Sequence, residues 1–436
     1  MSMTYKILNS HRILDKNLLD ENKVINGKQL ESGEFIECKI DLIMVHEQLA
    51  GRINKEYIKL GIDYVKNPEN IVFILDHWVP APDARAARMH QEANDFARKF
   101  KFLKQNILGE NKGICHTVLP ERGFIYPSTI VIGSDSHTTT YGAFNCFSTG
   151  VGATDICNAF ATGILWFMVP EVFRFNLFGA FKKGVFAKDL ALTMLRDFKT
   201  DGLIYKAMEF GGPALSNLSI SSRITIANMA VEIGAKNAIF EFDNILKKWY
   251  EENFNINHIK LLKPILPDND FNYHKSFEYQ LNEIDPVVAC PHSPDNVVPI
   301  DELGDISIDQ GFIGSCTNGS LEDLRIAAII LKNKKVHKNT RCIIIPASTN
   351  IYKQALKEGL IEIFLNAGCV ICPPTCGPCI GGHMGVLGDN EVQIASSNRN
   401  FLGRMGSEKS KVYLASPATV AASVIEGKID SAVKYL

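Results

Sequence analysis

An excess of charge of either sign is what this chain most clearly lacks. Its 436 residues carry 46 Lys and Arg against 48 Asp and Glu, a formal net charge of -2. With a pI near 6.6 there is no electrostatic case for nucleic acid or an anionic membrane surface. No apolar run is long enough to span a bilayer; the nearest, Ile164 to Val169, is short and broken by Pro170. The opening residues, MSMTYKILNSHRILDKN, lack the apolar core of a secretory signal. Tandem repeats and low-complexity tracts are missing too. Together these absences point to a soluble globular protein, expected in the cytoplasm.

Cysteine, by contrast, is plentiful. Eleven residues, an odd number spread over the whole chain, do not form a disulfide framework and fit a reducing compartment. Cys38, Cys115, Cys146, Cys157, Cys290, Cys342 and Cys369 lie in apolar or small-residue surroundings and read as buried hydrophobes. Three others stand apart: Cys316 in GSCTNGS, and Cys376 with Cys379 in PPTCGPCIGGHMG. A structural zinc takes four ligands, and a fully ligated [4Fe-4S] cluster takes four cysteines. Three leave a metal corner open, where a substrate oxygen can be polarised. A CxxC also occurs in zinc sites and redox turns, so spacing alone leaves those chemistries standing. The surrounding glycines, Gly377, Gly381, Gly382 and Gly385, let backbone N–H groups approach sulfur closely. Cys316 is expected between a strand (Gly311 to Ser315) and a helix beginning near Leu321, where the helix dipole stabilises a thiolate. Cys372, in ICPPTC, could pass for a fourth ligand, but two prolines separate it from Cys376.

The length calls for two or three cores. Short β-branched runs alternate with amphipathic stretches, the pattern of α/β units on largely parallel sheets. IVFILDHW (Ile71 to Trp78) reads as a buried strand before a helical ARAARMHQEANDFARKF, and TIVIGSD (Thr129 to Asp135) reads as another. RCIIIPAS (Arg341 to Ser348) precedes a helix through Leu365, and KVYLAS (Lys411 to Ser416) precedes PATVAASVIEG. Composition shifts near Pro170, and the charged, Asn-rich stretch from Lys247 to Glu283 looks like a connector. The expected division is 1–170, 171–285 and 286–436. Ligands of such sheets bind outside the carboxyl ends of the strands, and the polar motifs fall there.

Asp76 and His77 close the first of those strands. A carboxylate beside an imidazole fixes its tautomer and raises its pKa, which suits a proton donor; a strand-end capping pair is the plainer alternative. GSDSHTTTYGA gathers Asp135, Ser136 and His137 on one turn, whereas His116 in GICHTVLPERG has little local support and alone reads as structural. In ANMAVEIGA, Asn228 and Glu232 are four apart, hence on one helical face, and a carboxylate among apolar neighbours should be paired or perturbed. SSNRNFLGRMG offers Asn398, Arg399 and Arg404; arginine forks grip carboxylates, with surface ion pairs as the alternative use. A Lewis-acidic metal, His–carboxylate pairs and arginine clamps suit addition or removal of water on a hydroxy polycarboxylic acid.

In this order DHWVP, GSDSHTTTYGAF, NMAVEIGA, GSCTNGSLEDLR, CGPCIGGHMG and SSNRNFLGRMG resemble the motifs of the aconitase superfamily, from about Asp41 to the C-terminus. The resemblance implies an α/β fold of three α/β/α domains of the aconitase iron-sulfur type, without the family's fourth, swivelling domain. It implies that Cys316, Cys376 and Cys379 hold one [4Fe-4S] cluster with a labile, substrate-binding iron, and it excludes Cys372. It implies the pairs Asp76–His77, Asp135–His116 and Glu232–His137, which promotes His116 to a catalytic residue and makes His77 the donor to the leaving hydroxyl. His46, Asn228, Asn398, Arg399 and Arg404 match substrate-contacting or cluster-proximal positions, and Ser136 matches one near the labile iron.

Departures from the family pattern are few. His46, in DLIMVHEQLAG, stands where single-chain aconitases carry Gln and the dehydratase large subunits often carry His or Asn. Thr139 and Thr140 stand where relatives commonly place Cys or Asn, and Trp78 is bulky for its site. The swivelling domain supplies a serine base and an arginine in single-chain members, so the resemblance implies a small subunit bringing both. The implied reaction isomerises a substituted malate by dehydration and rehydration; homocitrate, citramalate and dimethylmalate enzymes of the same scaffold remain alternatives. An apo, iron-sensing or RNA-binding protein is the reading of a different class, against which the near-neutral charge argues.

Overall fold

The computed structural model describes residues 1–13, 30–102, 107–109, 112–255, 259–260 and 262–436. Its first sheet runs Ile107–Leu108, Ile71–Ile74, Leu42–His46, Ile130–Gly133, Phe147–Gly150, all parallel. The three central strands are apolar runs buried at every residue, as a sheet covered by helices on both faces requires. From Leu42–His46 the chain winds outward through Ile71–Ile74 to Ile107–Leu108, then returns to the other side at Ile130–Gly133. That reversal opens a crevice between the ends of Leu42–His46 and Ile130–Gly133. His46 and Ser134 close its floor: the His46 N–H donates to Ser134 Oγ, and His46 Nε2 meets the Ser134 carbonyl, each at 3.1 Å.

The third sheet repeats the device. Its order is Val297–Pro299, Val287–Ala289, Lys411–Leu414, Val392–Ala395, Gln310–Ile313, Arg341–Ile344, Val370–Ile371, and the last five strands are parallel. Its reversal falls between Gln310–Ile313 and Val392–Ala395. The segment bearing Cys316 leaves one of these strands and the segment bearing Asn398 and Arg399 leaves the other. The second sheet, Asn237–Phe240, Ala207–Gly211, Val172–Phe178, Lys275–Gln280, is wholly parallel. Among the described residues no helix is long and apolar enough to cross a membrane.

Several local expectations are corrected. The Lys247 to Glu283 stretch is not a connector, because Lys275–Gln280 is the edge strand of the second sheet. Only Phe277 and Tyr279 in it pack on the core while its other residues face outward, which is why it reads as polar. The helix after Arg341–Ile344 is two, Thr349–Lys357 and Leu360–Ala367, parted at Gly359 with φ 74°. Cys316 lies inside a short helix, Ser315–Asn318, rather than just ahead of Leu321–Leu331. The helix carrying Asn228 ends at Met229 and tightens into a 3-10 turn, Ala230–Ile233. Asn228 and Glu232 therefore do not share one α-helical face.

One face of the first sheet, the helices Met3–His11, Glu47–Lys59, Ala84–Lys99 and Ala153–Thr162 and the paired strands Phe35–Lys39 and Ile164–Met168 enclose one core, which reaches Val172, Ala207 and Ile239 of the second sheet; the other face joins a core shared with the second and third sheets. We propose the boundaries 170/171 and 285/286 as the joints between the sheet units. The first two meet where the 3-10 segment Ser136–Phe144 lies against Asn237–Phe240. A Cβ on Gly142 would come within 1.7 Å of the Ala238 carbonyl oxygen, and backbone cannot step aside as a side chain can. Gly142→Ala should lower the stability by about 2–3 kcal/mol, read as a lower urea midpoint at unchanged slope.

Candidate active site

Three imidazoles surround one carboxylate at the mouth of the first sheet. Asp135 Oδ1 lies 2.8 Å from His116 Nε2 and accepts the His137 N–H at 2.7 Å, while Oδ2 lies 3.3 Å from His77 Nε2. His77 is held from its other side by Asp76 Oδ1, 2.6 Å from Nδ1, and His137 Nε2 lies 2.9 Å from Glu232 Oε1. Glu232 also accepts Arg399 Nε at 2.8 Å, and Arg399 Nη2 donates to Ser136 Oγ at 3.0 Å. The 3-10 turn is what aims Glu232 at His137 while Asn228, on the helix before it, points elsewhere.

Burial alone would discharge these groups; their pairing reverses it. Burial works to lower His77, but Asp76 and Asp135 on either side hold it well above 6.5, which favours the imidazolium. Burial raises Asp76, yet the His77 charge and hydrogen bond bring it down to about 2; burial likewise raises Asp135, but His116 and then the hydrogen bonds of His137 and His77 hold it well below its usual range. His46 is the exception. Burial, then the neighbouring His77 charge, lower it to about 4, so it stacks as a neutral ring 4.4 Å from His77. Its Nδ1 accepts the Gln48 N–H at 3.3 Å, which assigns the proton to Nε2 and leaves neither nitrogen for a ligand.

The cysteines face this network from the third sheet. Cys316, Cys376 and Cys379 are all buried, and burial pushes the Cys316 thiol up to about 12. The Asn228 and Asn398 amides donate to Cys316 Sγ at 3.2 and 3.3 Å, and Cys379 Sγ meets Asn398 Oδ1 at 3.6 Å. Among the described residues, only His46, Glu47 and His77 bring three ligand atoms within 4.8 Å of one another, so at least one pair of the three sulfurs lies farther apart than that. Zinc–sulfur bonds of about 2.3 Å would draw them to roughly 3.8 Å apart. Three buried cysteines are one short of the four ligands of a closed zinc site and fit a group that leaves one metal corner open. Gly377, at φ 57°, lets the loop fold against Ile345, where a Cβ would come within 2.3 Å of Cδ1. Cys372 instead donates its N–H to Ile344 and stays with that strand.

A family profile described as "Aconitase family (aconitate hydratase)" matches residues 11–427. The chain belongs to the aconitase family. It is 47% identical to the 3-isopropylmalate dehydratase large subunit of Sulfurihydrogenibium sp. over 100% of this chain and 97% of that one. It is 46% identical to the like-named protein of Aquifex aeolicus (98% and 96% covered) and 48% to that of Thermodesulfovibrio yellowstonii (92% and 94%). Among solved structures, the holo-form of Thermococcus kodakaraensis aconitase X superposes over 84% of each chain with a TM-score of 0.47 and 13% identity.

Where this family member departs from the expected pattern, the structure shows the use made of each residue. Thr140 Oγ1 accepts the Asn228 amide at 2.9 Å, Thr139 Oγ1 is buried without a partner, and Trp78 lies over Gly382 of the cysteine loop. Arg404 has no ion pair among the described residues, and its buried Nε is unpartnered. A cleft of about 490 Å³ adjoins Ser136 and Thr139.

Three functional residues escaped the sequence reading. Glu47 accepts the N–H groups of Asp76, His77 and Trp78 at 3.2, 2.7 and 3.0 Å. Thr375 Oγ1 donates to the carbonyls of Asp76 and His77, and Lys188 sits buried behind Asn398. Glu47 alone left a signal, an acid following His46 at the end of an all-apolar strand.

The folded pKa of Asp76, about 2, lies below its ordinary 3.8. Its stabilisation is therefore complete above about pH 4 and is lost as pH falls toward 2. Raised above 6.5, His77 adds stability below that value, lost as pH rises through its folded pKa. In Asp76→Asn the His77 ring should titrate at distinctly lower pH than in the wild type, followed by histidine NMR shifts.

Proposed function

We propose that this chain is the cluster-bearing large subunit of a hydro-lyase of the 3-isopropylmalate dehydratase type, serving leucine biosynthesis. The observation that carries it is His77, clamped between two carboxylates, with the loop of the buried cysteines hung on the same turn, in a chain 45–48% identical to relatives of that name. We assign Cys316, Cys376 and Cys379 as the ligands of a [4Fe-4S] cluster. When bound, that cluster supplies a Lewis acid for a substrate hydroxyl and carboxylate.

The protein's own groups would do the rest. His77 Nδ1 is fully engaged by Asp76 at 2.6 Å, whereas the 3.3 Å contact of Nε2 with Asp135 is loose enough for a substrate hydroxyl to displace. The Nε2 proton is therefore the one delivered to the leaving hydroxyl, and Asp76 stabilises the charge until transfer. Arg399, with Nε and Nη2 spent on Glu232 and Ser136, keeps Nη1 for a substrate carboxylate, and Arg404 offers a second fork. His116 and His137, each tied to a carboxylate, hold Asp135 and Glu232 in place around the substrate.

We assign the base that removes the carbon-bound proton to a small subunit closing over the crevice; the relatives' designation "large subunit" supports the existence of such a partner. None of the eleven cysteines is paired, in keeping with a cytoplasmic enzyme.

Anaerobic iron–sulfide reconstitution of the wild type should give a brown protein with a cluster spectrum, and Cys316→Ser should lose most of it. An unchanged spectrum in that variant would sink the ligand assignment. Once the small subunit is added, His77→Gln should lower kcat by about 10²–10⁴ with a smaller change in KM, measured by absorbance of the unsaturated acid.

A further inference from the structure

Lys188 is the least expected charge in the molecule. It stands in the first turn of the helix Ala187–Phe198 with no exposed surface, and no carboxylate among the described residues pairs with it. Its ammonium donates to the carbonyl oxygens of Ser396 at 3.0 Å and Ser397 at 2.5 Å, with Met229 Sδ at 3.8 Å. Two carbonyl dipoles satisfy two of its three donors but do not cancel its charge. The nearby acids are spent elsewhere. Asp189 accepts the N–H groups of Phe186 and Val287, Asp323 caps Ser320 and holds Asn318, and burial raises these acids to about 7 and about 6. Burial lowers Lys188 itself to about 7, opposed by the nearby charges of Cys316, Asp323, Cys379 and Asp189 in that order. The geometry leads to the sulfur side: Ser397 immediately precedes Asn398, whose amide reaches Cys316 Sγ.

We propose that Lys188 is the built-in counter-charge of the cluster held by the three cysteines, and that through the Ser396 and Ser397 carbonyls it positions Asn398 against Cys316. This rests on the cluster reading above: a cubane core with two positive charges on three thiolates is a net monoanion, and one buried cation balances it. Lys188 donates to none of the three cysteine sulfurs. It acts through the charge it places behind the site and the loop it holds.

The test compares wild type, Lys188→Met and Lys188→Gln as full chains, each chelated and anaerobically reconstituted. Gln keeps a donor for the carbonyls but not the charge. Both variants should bind a cluster with a more negative midpoint potential, since removing a nearby cation disfavours the added electron. They should also release iron to a chelator about tenfold faster, the factor for one lost charge-assisted interaction. Their chelated forms should melt no lower than chelated wild type. Equal potentials and iron-release rates would overturn the proposal. So would a chelated Lys188→Met that melts far lower or does not fold, because the residue would then be a structural contact independent of the cluster. A wild type that takes up no cluster would overturn the cluster reading itself, and this inference with it.

Discussion

The buried carboxylate of Asp76 is the contact on which the arrangement depends. Its Oδ1 holds His77, and its Oδ2 accepts the Cys115 N–H at 2.8 Å, at the start of the helix that carries His116. Its own carbonyl accepts Thr375 Oγ1 and the Cys376 N–H, so the cysteine loop of the third sheet is hung on the histidine turn of the first. A fully buried charge costs several kcal/mol unless it is paired and hydrogen-bonded. Asp76 meets that condition only when all these segments are in place, which makes one residue the joint between two sheets.

Around it, charge alternates. Glu47 gathers three N–H groups beneath the turn, Asp76 and Asp135 bracket the His77 imidazolium, and Glu232 bridges His137 to Arg399. Asp76, Asp135 and Glu232 are held below their ordinary values because each has a cation within hydrogen-bond reach, whereas burial and the Asp76 charge raise Glu47. On the sulfur side the sign reverses, with Asn228 and Asn398 donating to Cys316 Sγ and Lys188 behind them on the Ser396 and Ser397 carbonyls. The crevice thus has an acid–base wall and a metal-ligand wall, each at a reversal of strand order where backbone ends converge without side chains filling the space.

Some of this was open to inspection in one dimension. The strands ending in Asp76–His77, Asp135–Ser136–His137 and Cys316 announce themselves as apolar runs that stop abruptly at polar residues, because a strand buried on both faces must be apolar and its end must not be. The amphipathic helix Ala84–Lys99 was legible for the same reason, whereas Lys275–Gln280 was hidden, since an edge strand with one covered face carries few apolar residues. The α-to-3-10 transition at Ala230 had no mark in the periodicity either. Lys188 and Thr375 were invisible because their partners are backbone carbonyls, which every residue has and no sequence pattern displays.

The order of motifs, their residue types and the apolar runs between them determined the family, the sheet class and the pool of candidate ligands. Which members of that pool meet was decided by the tertiary structure. His116 gained a partner nineteen residues away, His137 one ninety-five residues away, and His46 turned from a candidate substrate contact into a neutral ring with both nitrogens used. Sequence conveys chemistry that a residue carries by itself, such as a thiol, an imidazole or a carboxylate. Charge state, pairing and direction come from burial and from neighbours that only folding supplies.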